Sequence, residues 1–452
     1  MSVDIKIRKG FNINLNGEAN KILSESERSR TYALRPNDFF YLNPKLLVKE
    51  GDKVKKGTPL FFSKNNPRIH FVSPVAGEVL AISRGEKRKI LEVVVSTQNN
   101  INDSAIKFKT TNFEKFSEEE IKDVLLKSGT WPFILQRPYG VIAQPEDKPK
   151  AVYISTYSTS PLGVDFDFIL KNKKDKFQLG LSILSRLTDN LYLTVDSNFP
   201  SFYKNIKDAK VLKVKGPHPA GNVGVQIHNH KPISPGEKVW TVKPEDVSNI
   251  GSLFKNGEFC SERTVAVVGP SVKNPQYFTS TIGASISSVL EKIKIDKSKE
   301  CRLINGDVYS GKTTSVDGYL SYSDNLLTII PEGKNYRMFG WLPFKDNFIP
   351  SISKTSFSRF LNKKKLEIST NLNGEERAMV VTGEMEKVFP MDIFPMQLVK
   401  ACLNKDIERM EELGIYEVVP EDFGLIDFSS SSKIEAQEII KKGIELIINE
   451  ES

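Results

Sequence analysis

The stretch KGPHPAGNVGVQIHNH, residues 215–230, decides how the middle of the chain is read. It follows a strand-like run, VLKV, at residues 211–214. It carries three of the four histidines, His218, His228 and His230, and three glycines, Gly216, Gly221 and Gly224. A strand feeding a Gly/Pro-rich turn is where an α/β domain presents its ligand loops. Residues 151–155 read as a strand, 177–187 as a helix and 191–195 as a strand, and this alternation predicts a parallel sheet of Rossmann type. None of these strands is followed by G-x-G-x-x-G, so a dinucleotide cradle of the usual kind is not expected.

Toward the start of the chain, VKEGDKVKKGTPLFF (residues 48–62) and FVSPVAGEVLAI (residues 71–82) give short apolar strands broken by glycine turns, the pattern of a small β barrel. Their spacing resembles the biotinyl/lipoyl carrier domain, a barrel-sandwich hybrid. A carrier holds its lysine in a tight hairpin flanked by methionines. Here residues 63–70, SKNNPRIH, read as the link, with Lys64 early in it and no methionine beside it, so the fold is expected without a covalent cofactor. Residues 117–129 predict a helix opened by a Ser117/Glu120 capping box, buried along Ile121, Val124 and Leu125, and ended at Gly129. Residues 263–335 run strand, Gly283-Ala284-Ser285, helix through Leu290 and Ile293, then strand and turn at 302–306, the plan of a β-grasp module. Near the end of the chain, Ser432 and Glu435 suggest a second capping box, and Ile439, Ile440, Ile444, Ile447 and Ile448 form one apolar face that predicts core packing.

The expected architecture is α/β and multidomain. It comprises a carrier-like barrel over residues 1–100, a Rossmann-like domain over 101–258, a β-grasp (SLBB-like) module over 259–335 and a mainly helical domain over 336–452. A chain of 452 residues is too long for a single core. Its longest apolar runs, at 326–330 and 446–448, fall short of a membrane span, and the opening MSVDIKIRKG has no apolar signal core, which argues against secretion. The net charge of +8 is spread along the chain, with one short run at residues 363–365. This reads first as a solvated surface and second as attraction to an anionic membrane or acidic partner; no nucleic-acid motif is present. Three separated cysteines, Cys260, Cys301 and Cys402, form no CxxC and point to a reducing compartment without a local zinc or iron–sulfur motif.

Taken in order, KIRKG, VKEGDKVKKG, SPVAGEVLAISRGEKR, GPHPAG with IHNH, VVGPSVKNP, TIGASI, INGDVYSG, GYL with IPEG, FGW, NGEERAMV and FPMDIFP resemble the A subunit of the bacterial sodium-translocating NADH:quinone reductase. The resemblance implies a peripheral protein on the cytoplasmic face of an inner-membrane complex that passes electrons from NADH to ubiquinone or menaquinone and exports Na⁺. It implies docking on the membrane subunits, chiefly the quinone-binding B subunit. NADH, flavins and iron–sulfur centres would sit on partner subunits, with the isolated chain not catalytic. The fold is also similar to the NADH-binding subunit of complex I and to the C subunit of the Rnf complex. There a glycine-rich loop holds flavin and dinucleotide, and cysteine runs hold clusters. This chain has GPHPAGNVG near the first, no cysteine run at the second, and only the isolated Cys402. The helical domain thus resembles a ferredoxin-like domain that has lost its clusters. The alternative implied is an electron-input protein like the Rnf C subunit, which would hold NADH and flavin itself.

By resemblance, Tyr41-Leu42-Asn43-Pro44 and Arg137-Pro138-Tyr139-Gly140 are the quinone-region candidates, with Tyr41, Arg137 and Tyr139 as contact surface and donors. A quinone needs an apolar slot and a donor for each carbonyl. The family commonly has Gly-Met-Arg-Pro at the first of these segments, so an arginine contact is absent there. Gly216, His218, Pro219 and Gly221 form the family-signature loop. On a strand, His228 and His230 would share one face and offer two imidazoles to a metal, but no third ligand is evident and no metal site is expected. His218 lacks a nucleophile or carboxylate partner in sequence, so it reads as turn-stabilising rather than catalytic.

Overall fold

The structure is a computed structural model that describes residues 3–97, 104–296, 298–334, 350, 352 and 365–451. The FGW motif (339–341) and residues 363 and 364 of the basic run lie outside the described residues. Among the described residues, four sheets and a set of helices account for the architecture.

The central sheet has seven strands. Val3–Lys6, Lys210–Lys215, Leu191–Asp196, Ala151–Ser155 and Val239–Val242 run parallel in that order; Ile134–Arg137 and Val141–Ile142 close the edge antiparallel. Strands such as Leu191–Asp196 are buried almost throughout, as a parallel sheet covered on both faces requires. Helices Lys174–Leu184 and Pro244–Asn256 pack closely because Gly180 and Gly251 face the partner backbone: a Cβ at either would overlap a carbonyl of the other helix. The strand order reverses beside Ala151–Ser155, where doubly wound domains gather their ligand loops.

The barrel is built from two sheets. One pairs Thr31–Leu34, Ile90–Ser96, Gly77–Arg84 and Lys53–Val54; the other pairs Pro44–Leu46, Pro59–Ser63 and Asn66–Val72. Their inner faces bury Val54, Leu60, Phe61, Ile69, Phe71, Val79, Val93 and Val95. Residues 63–70 do not form the expected link. Ser63 pairs with Asn66, so only Lys64 and Asn65 turn the hairpin. Asn66 and Arg68 on the returning strand bond Glu146, tying this hairpin to the α/β domain. The first residues, grouped with the barrel by the sequence division, pair elsewhere: Val3–Lys6 joins the parallel sheet and Asn20–Glu25 joins the β-grasp sheet.

The β-grasp sheet orders Lys312–Thr314, Cys301–Asn305, Leu326–Pro331, Glu262–Val268, Gln276–Thr281 and Asn20–Glu25, with helix Ile286–Leu290 beside it. A buried charge network fastens it to the α/β domain. Arg263, fully buried, bonds Asp246 at 2.6 Å, and Glu245 accepts from Lys173 and from the amide and hydroxyl of Thr264.

The helical domain packs Pro395–Asn404, Ile407–Glu412, Gly424–Ser429 and Ala436–Glu451 around Met396, Leu398, Met410, Phe423, Ile440, Ile444 and Ile447, and this core is continuous with Val214, Val225 and Val239 of the α/β domain. Cys402 is buried there, its thiol pushed up to about 12 by desolvation. The expected capping box of the last helix is not formed. Ser432 donates to Ala378 O, and the amides of Ala436 and Gln437 reach the carboxylate of Asp427 instead. The first helix, Glu118–Lys127, carries the Ser117/Glu120 box as expected. Among the described residues no helix is long and apolar enough to cross a membrane.

Candidate functional site

The turn after strand Lys210–Lys215 is tied down by other parts of this chain, with His218, Pro219 and Ala220 buried. Tyr157 donates its phenol to Gly216 O at 2.9 Å, Gly221 N donates to Thr159 Oγ1 at 2.8 Å, and Asn12 Oδ1 accepts from His218 N at 2.7 Å. Gln226 reaches back to Ser155 Oγ and Ala220 O, closing the turn on its own helix. The His218–Pro219 bond is cis. The His218 ring stacks on Tyr309 of the β-grasp module, 4.8 Å between centroids, with Nδ1 3.2 Å from Thr159 Oγ1. Burial pushes the imidazole down to about 4, against a weaker upward pull from Asp422, so it is neutral near pH 7. These contacts make His218 a packing and turn residue.

The turn opens helix Val223–His230, not a strand, which corrects the reading of the histidine pair. Residues two apart on a helix point about 200° apart, so His228 and His230 cannot share a metal. His228 Nδ1 meets Glu417 Oε2 at 2.8 Å and its Nε2 accepts from Asp392 N, which sets Nδ1 as the protonated nitrogen. His230 Nδ1 meets the Tyr153 phenol. Among the described residues no group of three or more His, Cys, Asp or Glu side chains has metal-holding geometry.

Arg137 lies against the first turn of this helix. It is 3% exposed, its Nη1 donates to Asp422 Oδ2 at 2.9 Å and its Nη2 to Glu421 Oε1 at 2.8 Å. Burial opposes the charge, but Asp422 and then Glu421 outweigh it and hold the guanidinium above its usual range. Gly224 is required here, because a Cβ would overlap Arg137 Nη1 and crowd Asp422 Oδ2. Asn222, the residue before the helix, donates its amide to Glu421 O rather than capping its own helix. A helix N-terminus favours negative charge, and in dinucleotide folds a phosphate takes that place. Here the Asp422 carboxylate, with Arg137 as counter-ion, stands beside it.

Of the other candidates, Pro138 is buried, Asn43 is exposed and the rest are half-buried. After the cis Arg137–Pro138 bond, Tyr139 adopts φ 79° and Gly140 φ 71°; in the barrel loop, Tyr41 adopts φ 56°. These left-handed conformations turn both tyrosines toward the end of helix Ala436–Glu451. Tyr41 donates to Asn449 Oδ1 at 2.6 Å, and Tyr139 to Glu451 Oε1 at 2.8 Å, with the Tyr416 ring 6.0 Å from that of Tyr139. Burial and then the Glu451 carboxylate raise the Tyr139 phenol well above its ordinary value, so it keeps its proton. Phe40 and Leu42 are half-buried beside the two cores, while Asn43 O accepts from Lys64 N and Pro44 enters the barrel sheet.

The structure therefore brings Tyr41 and Tyr139, one from each candidate segment, onto the end of helix Ala436–Glu451 and sets the signature loop behind Arg137. Sequence reasoning missed Glu421, Asp422, Tyr309, Thr159, Asn449 and Glu451. Only the PED at residues 420–422, a proline and two acids that open a helix, carried a local signal.

Family models match three consecutive parts of the chain: an NqrA N-terminal barrel-sandwich hybrid domain over residues 5–98, an NqrA second alpha/beta domain over 116–259 and an NQRA C-terminal domain over 264–316. The A subunit of the Na(+)-translocating NADH-quinone reductase of Neisseria meningitidis is 33% identical over 451 residues, covering 99% of this chain and 100% of that one. Its counterpart from Yersinia pseudotuberculosis is 34% identical over 440 residues, 97% of this chain and 98% of that one. An NAD⁺-reducing [NiFe]-hydrogenase chain overlaps with a TM-score of 0.40 at 10% identity, over 76% of this chain and 63% of that one, too distant to carry an argument. Near-full-length identity and three domain matches in order lead to one conclusion: the chain belongs to the NqrA family, the A subunits of Na⁺-translocating NADH-quinone reductases.

Proposed function

We propose that this chain is a peripheral component of a Na⁺-translocating NADH-quinone reductase that docks on the cytoplasmic side of the membrane subunits, chiefly the quinone-binding B subunit. In this reading it walls part of the quinone region and carries no redox centre of its own. The observation that carries it is the meeting of Tyr41 and Tyr139 on one helix end. The two phenols supply aromatic surface and hydrogen-bond donors, and Phe40 and Leu42 supply apolar flanks. Arg137, Pro138 and Gly140 act from behind: the guanidinium is engaged with Asp422 and Glu421, Pro138 is buried, and Gly140 lets the turn close on Val419. Asn43 and Pro44 fix the barrel loop. The signature residues Gly216, His218, Pro219 and Gly221 hold the α/β, β-grasp and helical domains together.

The test is a titration of the purified full chain with a short-chain ubiquinone, read beside its absorbance spectrum. A colourless protein that binds the quinone saturably supports the reading. No saturable binding moves the quinone region off this chain. Stoichiometric flavin or iron–sulfur absorbance replaces the reading with an electron-input protein of the Rnf C kind.

A further inference from the structure

The positive charge of the chain is unevenly placed. Residues 31–97, the barrel, hold twelve Lys and Arg against six Asp and Glu, whereas residues 384–451 of the helical domain hold seven against sixteen. Four of the barrel's cations lie at the turn between strands Gly77–Arg84 and Ile90–Ser96. Arg84, Lys87, Arg88 and Lys89 are all exposed there, and Glu86 is the one acid among them. Among the described residues none of the four forms an ion pair, and Arg84 Nη1 donates to a neutral carbonyl, Arg88 O, at 3.3 Å. Lys89 N donates to Glu86 O, and the two residues between, Lys87 and Arg88, stand at φ 51° and φ 59°. Asn-Gly is the usual pair at two consecutive left-handed positions of a hairpin. Long cationic side chains at both carry strain that no ion pair within the described residues offsets. Apolar side chains lie beside the turn. Leu91 is 38% exposed and rests on Gly85, where an added Cβ would sit 3.2 Å from Leu91 Cδ2; Leu80, on the partner strand, is 57% exposed. Their chain neighbours Val79 and Ile90 fill the barrel core, so both leucines face outward.

We propose that the turn at residues 84–89 of the barrel, with Leu80 and Leu91, is a contact for anionic phospholipid headgroups, so that this chain touches the membrane surface directly as well as through its partners. Unpaired cations flanked by exposed leucines suit a lipid surface that is anionic outside and apolar just beneath. A loop of a membrane subunit fits this turn less well, because cytoplasmic loops of membrane proteins are themselves rich in Lys and Arg; such loops suit the acidic helical domain instead. The inference rests on the reading above only for the leaflet it meets, the cytoplasmic one. Four cations and two partly exposed leucines give a weak, reversible hold. That hold turns the barrel toward the bilayer and leaves firm attachment to the membrane subunits.

The test is co-sedimentation of the purified full chain with vesicles of phosphatidylcholine containing about a third phosphatidylglycerol, beside vesicles of phosphatidylcholine alone. The chain should partition onto the anionic vesicles and not the neutral ones, and binding should weaken as salt is raised. At about fivefold per cation, Lys87→Ser/Arg88→Ser/Lys89→Ser should lower the partition coefficient roughly 100-fold. Leu80→Ser/Leu91→Ser should lower it roughly 10-fold and leave the salt dependence in place. Lys87→Asn/Arg88→Gly separates binding from folding: it relieves the left-handed backbone, so the unfolding temperature should rise while the partition coefficient falls roughly 10- to 30-fold. Equal binding to both vesicles, no binding to either, or anionic binding that survives the charge substitutions overturns the proposal. A chain that ignores vesicles, with a triple serine variant that no longer assembles with the membrane subunits, makes the turn a protein contact and also overturns it. Wild-type assembly and the quinone titration are read separately, so the docking reading stands or falls on its own.

Discussion

Two polar clusters lie on either side of the 137–140 turn, and they differ in where their hydrogen bonds end. Behind it, Arg137, Asp422, His218 and Tyr309 are packed into the junction of three domains: the guanidinium donates to Asp422 and Glu421, the His218 amide donates to Asn12, and the His218 ring stacks on Tyr309. In front of it, Tyr41 and Tyr139 reach exposed acceptors on one helix end. A buried, internally paired group contributes to stability and cannot be offered to a ligand without an uncompensated charge or dipole. A half-exposed donor with a single replaceable partner can. The rear cluster should therefore register in folding and assembly, and the front one in binding.

The largest effect that would break this contrast is at Arg137. Arg137→Ala leaves Asp422 buried without its counter-ion and should cost about 3–5 kcal/mol of stability, read by denaturant or thermal unfolding of the full chain. An unfolding midpoint close to wild type would mean that the ion pair is not the junction described. Next, His218 gives a pH signature. Its ring is held near 4 when folded against an ordinary 6.5, so the unfolded chain binds the extra proton between these values. Stability from this group is fully present above pH 6.5 and falls as pH is lowered toward 4, by about 3 kcal/mol in all. The difference in unfolding free energy between wild type and His218→Gln should follow that slope; a flat difference would place His218 in water.

Gly224→Ala comes third. Its Cβ must displace the Arg137 guanidinium, a crowding worth about 1–3 kcal/mol, and the loss should shrink when combined with Arg137→Ala because the two share one space. Additive losses would separate them. At the small end, Ser117→Ala removes the cap of helix Glu118–Lys127 far from both clusters and should cost about 1 kcal/mol with no change in quinone kinetics.

The parts of the fold legible in sequence were those written locally. The Ser117/Glu120 box, the strands around residues 151, 191 and 211, and the glycine turns of the barrel each follow from neighbours a few positions away. The histidine pair was misread because H-x-H matches a strand alternation as well as one helical turn, and only the N-terminal packing of Val223–His230 decides. The Ser432/Glu435 box failed because the helix begins only at Ala436, where Asp427 from the preceding helix takes the amides of Ala436 and Gln437, while Ser432 donates to Ala378 O. What fills the cofactor-type turn was not legible at all: the Arg137–Asp422 bond spans 285 positions, and the strand Val3–Lys6 pairs with Lys210–Lys215 across most of two domains. The convergence of Tyr41 and Tyr139 was visible as two separate candidates but not as one place, because nothing near either tyrosine names the helix they share.

The most direct measurement of the central claim is the quinone KM of the assembled complex carrying Tyr41→Phe/Tyr139→Phe, beside its rate of NADH oxidation by an artificial acceptor. Loss of two phenolic donors should raise the quinone KM by roughly 10-fold and leave the artificial-acceptor rate unchanged. An unchanged quinone KM, or equal losses in both assays, would contradict a quinone contact on this face of the chain.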